Sequence, residues 1–327
     1  MAAQRVILTD ISSFTWEHPA DRAALNSLRS IPGFQQVVNK IASVFGERGV
    51  RHLFTANAVR VGPTQRPDLN ALWTDVLATM DWPTRPQLYV TQTPNVNAGA
   101  VGFGDPFVVI NSASIEHLTR DELRVLLAHE LGHIMSGHVT YRTIAQIILM
   151  VGVGNLPFLA GIALLPFQMA ILEWYRKSEL SCDRAALLDA QEPDVVLTTF
   201  MKLAGGREFG DRLDLAAFKE QAKEYETDGS AWDTVLKAIN TAFREHPFAT
   251  VRAGEVQRWV ESGAYRRILA GEYARRADVK PGDHLGADVK EASDYYADQA
   301  KAAMGKVSDT LGRAKDAFTD AFKGAAR

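Results

Sequence analysis

Asp121-Glu122-Leu123-Arg124-Val125-Leu126-Leu127-Ala128-His129-Glu130-Leu131-Gly132-His133-Ile134 is the stretch whose reading decides the fold. Its apolar residues Leu123, Leu126, Leu127, Leu131 and Ile134 recur at the three- and four-residue steps of a helix. Thr119 stands at the N-cap, and Glu122 three residues on completes a capping box. On that helix His129 and His133 occupy i and i+4, so both imidazoles leave one face about one turn apart. Two imidazoles so placed take two corners of a tetrahedral zinc site, with Glu130 beside them as general base. The helix is apolar nearly all round, which marks it as buried. A buried His-Glu-His set without a metal or other partners would be costly. The H-E-x-x-H sequence therefore reads as the centre of a metal-dependent peptidase rather than as two surface histidines.

Around this stretch, 327 residues allow one large domain or two small ones. A composition of 46% hydrophobic and 23% charged residues is ordinary for a globular protein. The net charge of −3 supplies no basic surplus, so a nucleic-acid partner is not expected. Cys182 is the one cysteine, which excludes an internal disulfide framework and points to a reducing compartment. Val6-Ile7-Leu8 is too short for a signal-peptide core, so a cytoplasmic location is expected.

In chain order, Pro19 marks a helix start, and Leu25, Leu28 and Ile31 recur before Pro32-Gly33 breaks the pattern. Further helices are expected over about 34–45 and 67–80. Residues 1–62 thus form a helical N-terminal region with no ligand-like cluster, read as a packing layer. From Gln87 the character changes. Gln87–Thr91 and Pro106–Ile110 read as short strands. The glycine-spaced segment 95–104 between them reads as an edge strand, onto which an extended peptide can add. The fold class is α+β, mostly helical with a small antiparallel sheet.

From Thr143 to Leu172 the chain carries 30 residues without a formal charge, interrupted by Pro157, Pro166, Gly152, Gly154 and Gly161. A single spanning helix would put a downstream metal ligand on the wrong side of a bilayer. Folded as a hairpin, each arm reaches about 22 Å, short of the roughly 30 Å hydrocarbon core. The reading is therefore no transmembrane topology: the hairpin is buried in the protein or dips into one leaflet. Helices follow over about 168–190, 193–204, 213–226, 231–242 and 249–262. After the Lys280-Pro281-Gly282-Asp283 linker, the tail 281–327 carries a narrow apolar stripe through Val289, Tyr296, Met304, Val307, Leu311, Phe318 and Phe322. That pattern suits an amphipathic helix docking on a partner or a lipid surface, or a solubilising tail.

Two histidines leave zinc short of a protein ligand. The metzincin pattern would need glycine at 136 and histidine at 139, where the chain has Ser136 and Val139. His138, nine residues from His129, falls on the opposite face of a continuous helix and is not expected to ligate. A glutamate on a later helix remains. Glu179 is preferred to Glu173, because Asp183 one turn on can hold a ligating histidine by its other nitrogen.

His129-Glu130-Leu131-Gly132-His133 followed by Glu179-Leu180-Ser181-Cys182-Asp183 resembles the gluzincin peptidases of the M48 family, relatives of the CAAX prenyl protease and of the heat-shock protease HtpX. Asn97-Ala98 is similar to that family's substrate-binding edge strand. His246-Pro247-Phe248-Ala249-Thr250-Val251-Arg252 is similar to its His-Pro element with an arginine six residues on. The resemblance implies a gluzincin peptidase domain over 63–280 and one zinc per chain, held by His129, His133 and Glu179. It implies Glu130 as base, Asp183 behind a ligand, and Asn97 and Ala98 against a protein or peptide substrate. His246 and Arg252 would stabilise the oxyanion, though a helix cap and a salt-bridge partner remain the alternatives for these two. The long paired membrane helices of some members are absent, leaving peripheral membrane contact through 143–172 and the tail. A non-catalytic scaffold binding membranes or partners is the competing reading, and the intact Glu130 argues against it.

Overall fold

Phe107-Val108-Val109-Ile110 is apolar at every position, the pattern of a strand covered on both faces. In the computed structural model, which describes residues 5–151, 164–206, 213–227 and 247–279, that strand lies inside a four-stranded sheet. The strands are β1 (Ala58–Arg60), β2 (Gln87–Thr91), β3 (Ala98–Val101) and β4 (Phe107–Asn111), in the order β1-β2-β4-β3. The helices are α1 (Pro19–Ser30), α2 (Phe34–Thr55), α3 (Pro67–Thr79), α4 (Ser112–His117), α5 (Arg120–Met135), α6 (Val139–Val151), α7 (Leu164–Ala190), α8 (Pro193–Gly205), α9 (Leu215–Thr227), α10 (Ala249–Glu261) and α11 (Ala264–Leu269). The fold is α+β and mostly helical.

The sheet is mixed rather than antiparallel throughout. β2 and β4 run parallel, with Leu88 opposite Val108 and Val90 opposite Ile110, whereas β1–β2 and β3–β4 are antiparallel. The crossover explains this. After β2 the chain passes to the far edge, forms β3, and turns back as β4 into the space between them. Alternation then splits the strand residues between two cores. Leu88, Val108 and Ile110 join Trp73, Leu123 and Leu127, while Tyr89, Phe107 and Val109 join Val37, Ile41, Ile144 and Ile148.

The N-terminal residues share both cores. Leu8, Ile11 and Trp16 lie in the first, Leu28 and Phe34 in the second. Ser12 also donates its backbone N–H to the Ala274 carbonyl at 2.9 Å, tying the N-terminus to the segment after α11. α2 runs ten residues past its expected end, across a break at Gly46, whose φ of 60° lies outside the helical region. Ile144, Ile147 and Ile148 of α6 and Ile171, Leu172 and Trp174 of α7 are buried. No described helix is long and apolar enough to cross a membrane. Residues 152–163 at the centre of the uncharged stretch, the helix expected over 231–242, the linker at 280–283 and the tail lie outside the described residues.

α5 and α7 form the central helix pair. A Cβ at Gly132 would meet the Ala185 Cβ at 2.8 Å and the Cys182 Cα at 3.3 Å, so the absent side chain sets how closely α7 can lie. In an isolated helix Gly→Ala gains about 1 kcal/mol. Here the overpacked contact, typically about 1–3 kcal/mol, reverses the sign. Gly132→Ala is expected to lower stability by about 1 kcal/mol in urea unfolding. A gain in stability would show that α7 is not held against α5 at this point.

Candidate metal centre

The helix start at α5 follows the sequence pattern. Thr119 Oγ1 accepts from Glu122 N, and Glu122 Oε2 accepts from Thr119 N at 2.8 Å, closing the capping box. Its far end is set by Gly137, whose φ of +67° turns the chain. Gly137 N donates to the Ile134 carbonyl and His138 N to the His133 carbonyl at 3.0 Å, the paired bonds of a Schellman ending. The helix therefore stops before His138.

On this frame the two histidines and Glu179 of α7 converge. His129 Nε2 and His133 Nε2 are 3.2 Å apart, with Glu179 Oε2 3.2 Å from the first and Oε1 3.3 Å from the second. Ligands at about 2.0–2.1 Å around a tetrahedral zinc stand about 3.3 Å from one another. The three side chains already have that separation. Charge fits as well. Glu130, Glu179 and Asp183 are buried around the site against the guanidinium groups of Arg142 and Arg252, with Asp21 buried one ring further out beside His138. With neutral histidines this leaves two negative charges in excess among these residues, the complement of a divalent cation. Burial alone would depress His129, yet the carboxylates of Glu179 and Asp183 hold it up at about 9. His133, buried beside the Arg142 cation, is pushed well below the ordinary histidine value.

Asp183 lies behind His129, with Oδ1 3.0 Å from Nδ1. Arg252 of α10 grips that carboxylate through Nε, 2.8 Å from Oδ2, and through Nη2 to Oδ1. Burial works against the charge on Asp183, but the Arg252 guanidinium keeps its carboxyl below the usual range. Glu130 accepts the Ala100 backbone N–H at 2.7 Å. Arg142 of α6 reaches Glu179 Oε1 at 3.3 Å and Glu130 Oε2 at 4.0 Å. Its other nitrogen donates to the Tyr175 hydroxyl at 2.8 Å.

A cavity of about 540 Å³ opens over these groups, lined among others by Asn95, Val96, Asn97, Val125, Leu126, Phe200, Leu203 and Phe248. The segment leading into the edge strand β3 forms one wall, and only part of the strand's outer edge is open. Ala100 N–H is taken by Glu130, and Gly102 N–H by Thr143 Oγ1 at 2.9 Å. Asn97 spends its backbone on Ser114 and Asn111. By strand alternation Ala98 presents its N–H and C=O away from β4.

Peptidase family M48 matches the chain over residues 63–260, more than half its length. The chain belongs to this family. The Arabidopsis thaliana protein named plastoglobule-localized metallopeptidase 48, chloroplastic, is 34% identical over 274 residues, covering 82% of this M48 chain and 78% of its own length. A protease HtpX homolog of Moorella thermoacetica is 31% identical over 115 residues, 35% of this chain and 38% of that protein. The protease HtpX homolog 2 of Methanosarcina mazei is 27% identical over 179 residues, 47% of this chain and 60% of that one. No solved structure matches. As an M48 member the protein is a peptide hydrolase, and its metallopeptidase relatives imply a metal cofactor.

Within this M48 protein the structure gathers His129, Glu130, His133, Glu179 and Asp183, with Asn97 on the cavity wall and Ala98 beside it. His246 lies outside the described residues, next to the cavity-lining Pro247 and Phe248. Glu173 is turned to Arg176 and Lys177 and takes no part. Arg252 also lines the cavity, with its guanidinium bound to Asp183, as in the salt-bridge alternative for this residue. His138 stays outside the His129, His133 and Glu179 set, but its assignment to the opposite helix face is corrected. Because Gly137 ends the helix, its ring folds back, with Nδ1 3.2 Å from His133 Nδ1 and 3.8 Å from Cys182 Sγ. His133, His138 and Cys182 make a second close set of donor atoms. That set shares His133 with the first and holds no carboxylate.

If Arg252 acts through Asp183, the two substitutions will not add. Arg252→Ala and Asp183→Asn should each weaken metal binding by about 10–100-fold, and the double variant should be little worse than the worse single. Additive losses, or an Arg252→Ala defect in turnover with unchanged metal binding, would return Arg252 to the substrate side.

Proposed function

We propose that this M48 chain is a zinc-dependent endopeptidase. The observation that supports the reading most directly is the convergence of His129 Nε2, His133 Nε2 and the Glu179 carboxylate beside the cavity, at separations close to those between the ligands of a tetrahedral zinc site. When bound, zinc would lower the pKa of a water there and polarise the scissile carbonyl. Glu130 takes the proton of the attacking water and passes it to the leaving amine. Its hydrogen bond from Ala100 N–H fixes the carboxylate beside the strand that holds the substrate. An extended peptide adds at Ala98 with Asn97 alongside, which sets the scissile bond next to Glu130. His246 donates to the developing oxyanion. Arg142 binds Glu179 and stands near Glu130, offsetting the repulsion between the two carboxylates. The apolar wall of Val125, Leu126, Phe200 and Leu203 suits a hydrophobic side chain beside the cleaved bond.

We also place the protein in the cytoplasm, touching membranes only peripherally through 143–172 and the C-terminal tail. Carbonate extraction should release it into the supernatant, and retention in the membrane pellet would contradict this placement.

Purified protein is expected to carry about one zinc per chain, and Glu179→Ala to lose most of it. Glu130→Gln keeps the shape and removes the proton acceptor, so it should retain zinc yet lose casein hydrolysis by at least about 100-fold. Hydrolysis within tenfold of the parent would remove Glu130 from the role of base.

A further inference from the structure

We propose that Asp21, on α1 and outside the region matched by the family, is a positioning residue for the metal ligand His133, acting through His138 to fix the tautomers of both rings. The inference rests on the metal reading of the site and adds the part that the N-terminal region plays in it.

Asp21 is 1% exposed, and its carboxylate receives three side-chain groups. Trp174 Nε1 donates to Oδ1 at 3.0 Å, Ser181 Oγ donates to Oδ2, and His138 Nε2 lies 3.1 Å from Oδ2. Ser181 Oγ accepts the His18 backbone N–H at 2.8 Å, so its proton is directed to Asp21. An ionised carboxylate only accepts. His138 must therefore carry a proton on Nε2.

The consequence passes along the chain of rings. A neutral His138 protonated on Nε2 has its lone pair on Nδ1, which faces His133 Nδ1 at 3.2 Å. Two ring nitrogens at that distance need one proton between them, and here it belongs to His133. His133 protonated on Nδ1 has its lone pair on Nε2, the atom turned to Glu179 and His129. Were His138 an imidazolium, its Nδ1–H would face His133 and force that ring's proton onto Nε2, where it would block ligation. Asp183 does for His129 directly what Asp21 does for His133 at one remove. The route exists because Gly137 folds His138 back and because the α1 turn carrying Asp21 lies against α7 at Trp174 and Ser181.

The test is histidine-nitrogen NMR on the metal-free full chain, with metal affinity measured beside it. His138 is expected as the Nε2–H tautomer and His133 as the Nδ1–H tautomer. A His138 protonated on Nδ1, alone or on both nitrogens, would overturn the proposal without any substitution. Asp21→Asn places an amide donor among groups that already donate. If it folds, as judged by circular dichroism and thermal unfolding, its zinc affinity in chelator competition should fall about 10–100-fold, with His138 losing its tautomer preference. A folded variant with zinc affinity within twofold of the parent would also overturn it. Should the variant not fold, the parent's tautomers decide alone. A parent that binds no zinc would sink the metal reading separately, since the tautomers are read without metal.

Discussion

α7 lies so near α5 at Gly132 that a single methyl there would press on Ala185, and the site is built on that contact. Glu179 reaches His129 and His133 because no side chain intervenes one turn away. Asp183, four residues on, then falls behind His129, and Ser181 falls toward Asp21. A helix pair held at a larger distance would leave the carboxylate short of both imidazoles.

Given that approach, electrostatics decides the rest. Four carboxylates are brought into one buried region, an arrangement that is unstable unless cations accompany them. Arg142 and Arg252 supply two, each tied to a specific carboxylate, and a divalent metal would supply the remainder. His129 and His133 each have their remote nitrogen held, one by Asp183 and one by His138. Such backing fixes ring orientation and keeps the near nitrogen available. The two arms come from different parts of the chain, α10 behind one and α1 behind the other.

What could be read in advance was what is local. The start of α5, its buried face and the i, i+4 histidines depend on residues within a turn or two of each other, and all are as the sequence pattern indicates. Glu179 with Asp183 is local in the same way. Only the face of His138 differs from the pattern, although a local signal is present, because Ser136-Gly137 marks a helix end and the face assignment assumes a continuous helix. Arg142, Asp21 and the partner of Arg252 depend on contacts far apart in sequence, such as Trp174 with Asp21 across 153 positions. The parallel pairing of β2 with β4 is also non-local, set by the crossover and not by either strand's residues.

The central claim is that the metal sits between His129, His133 and Glu179 and not in the neighbouring set of His133, His138 and Cys182. Zinc-edge X-ray absorption of the purified protein separates the two. The expected first shell contains only nitrogen and oxygen at about 2.0–2.1 Å, with outer scattering from two imidazoles. A sulfur scatterer at about 2.3 Å would place the metal on Cys182 and contradict the account.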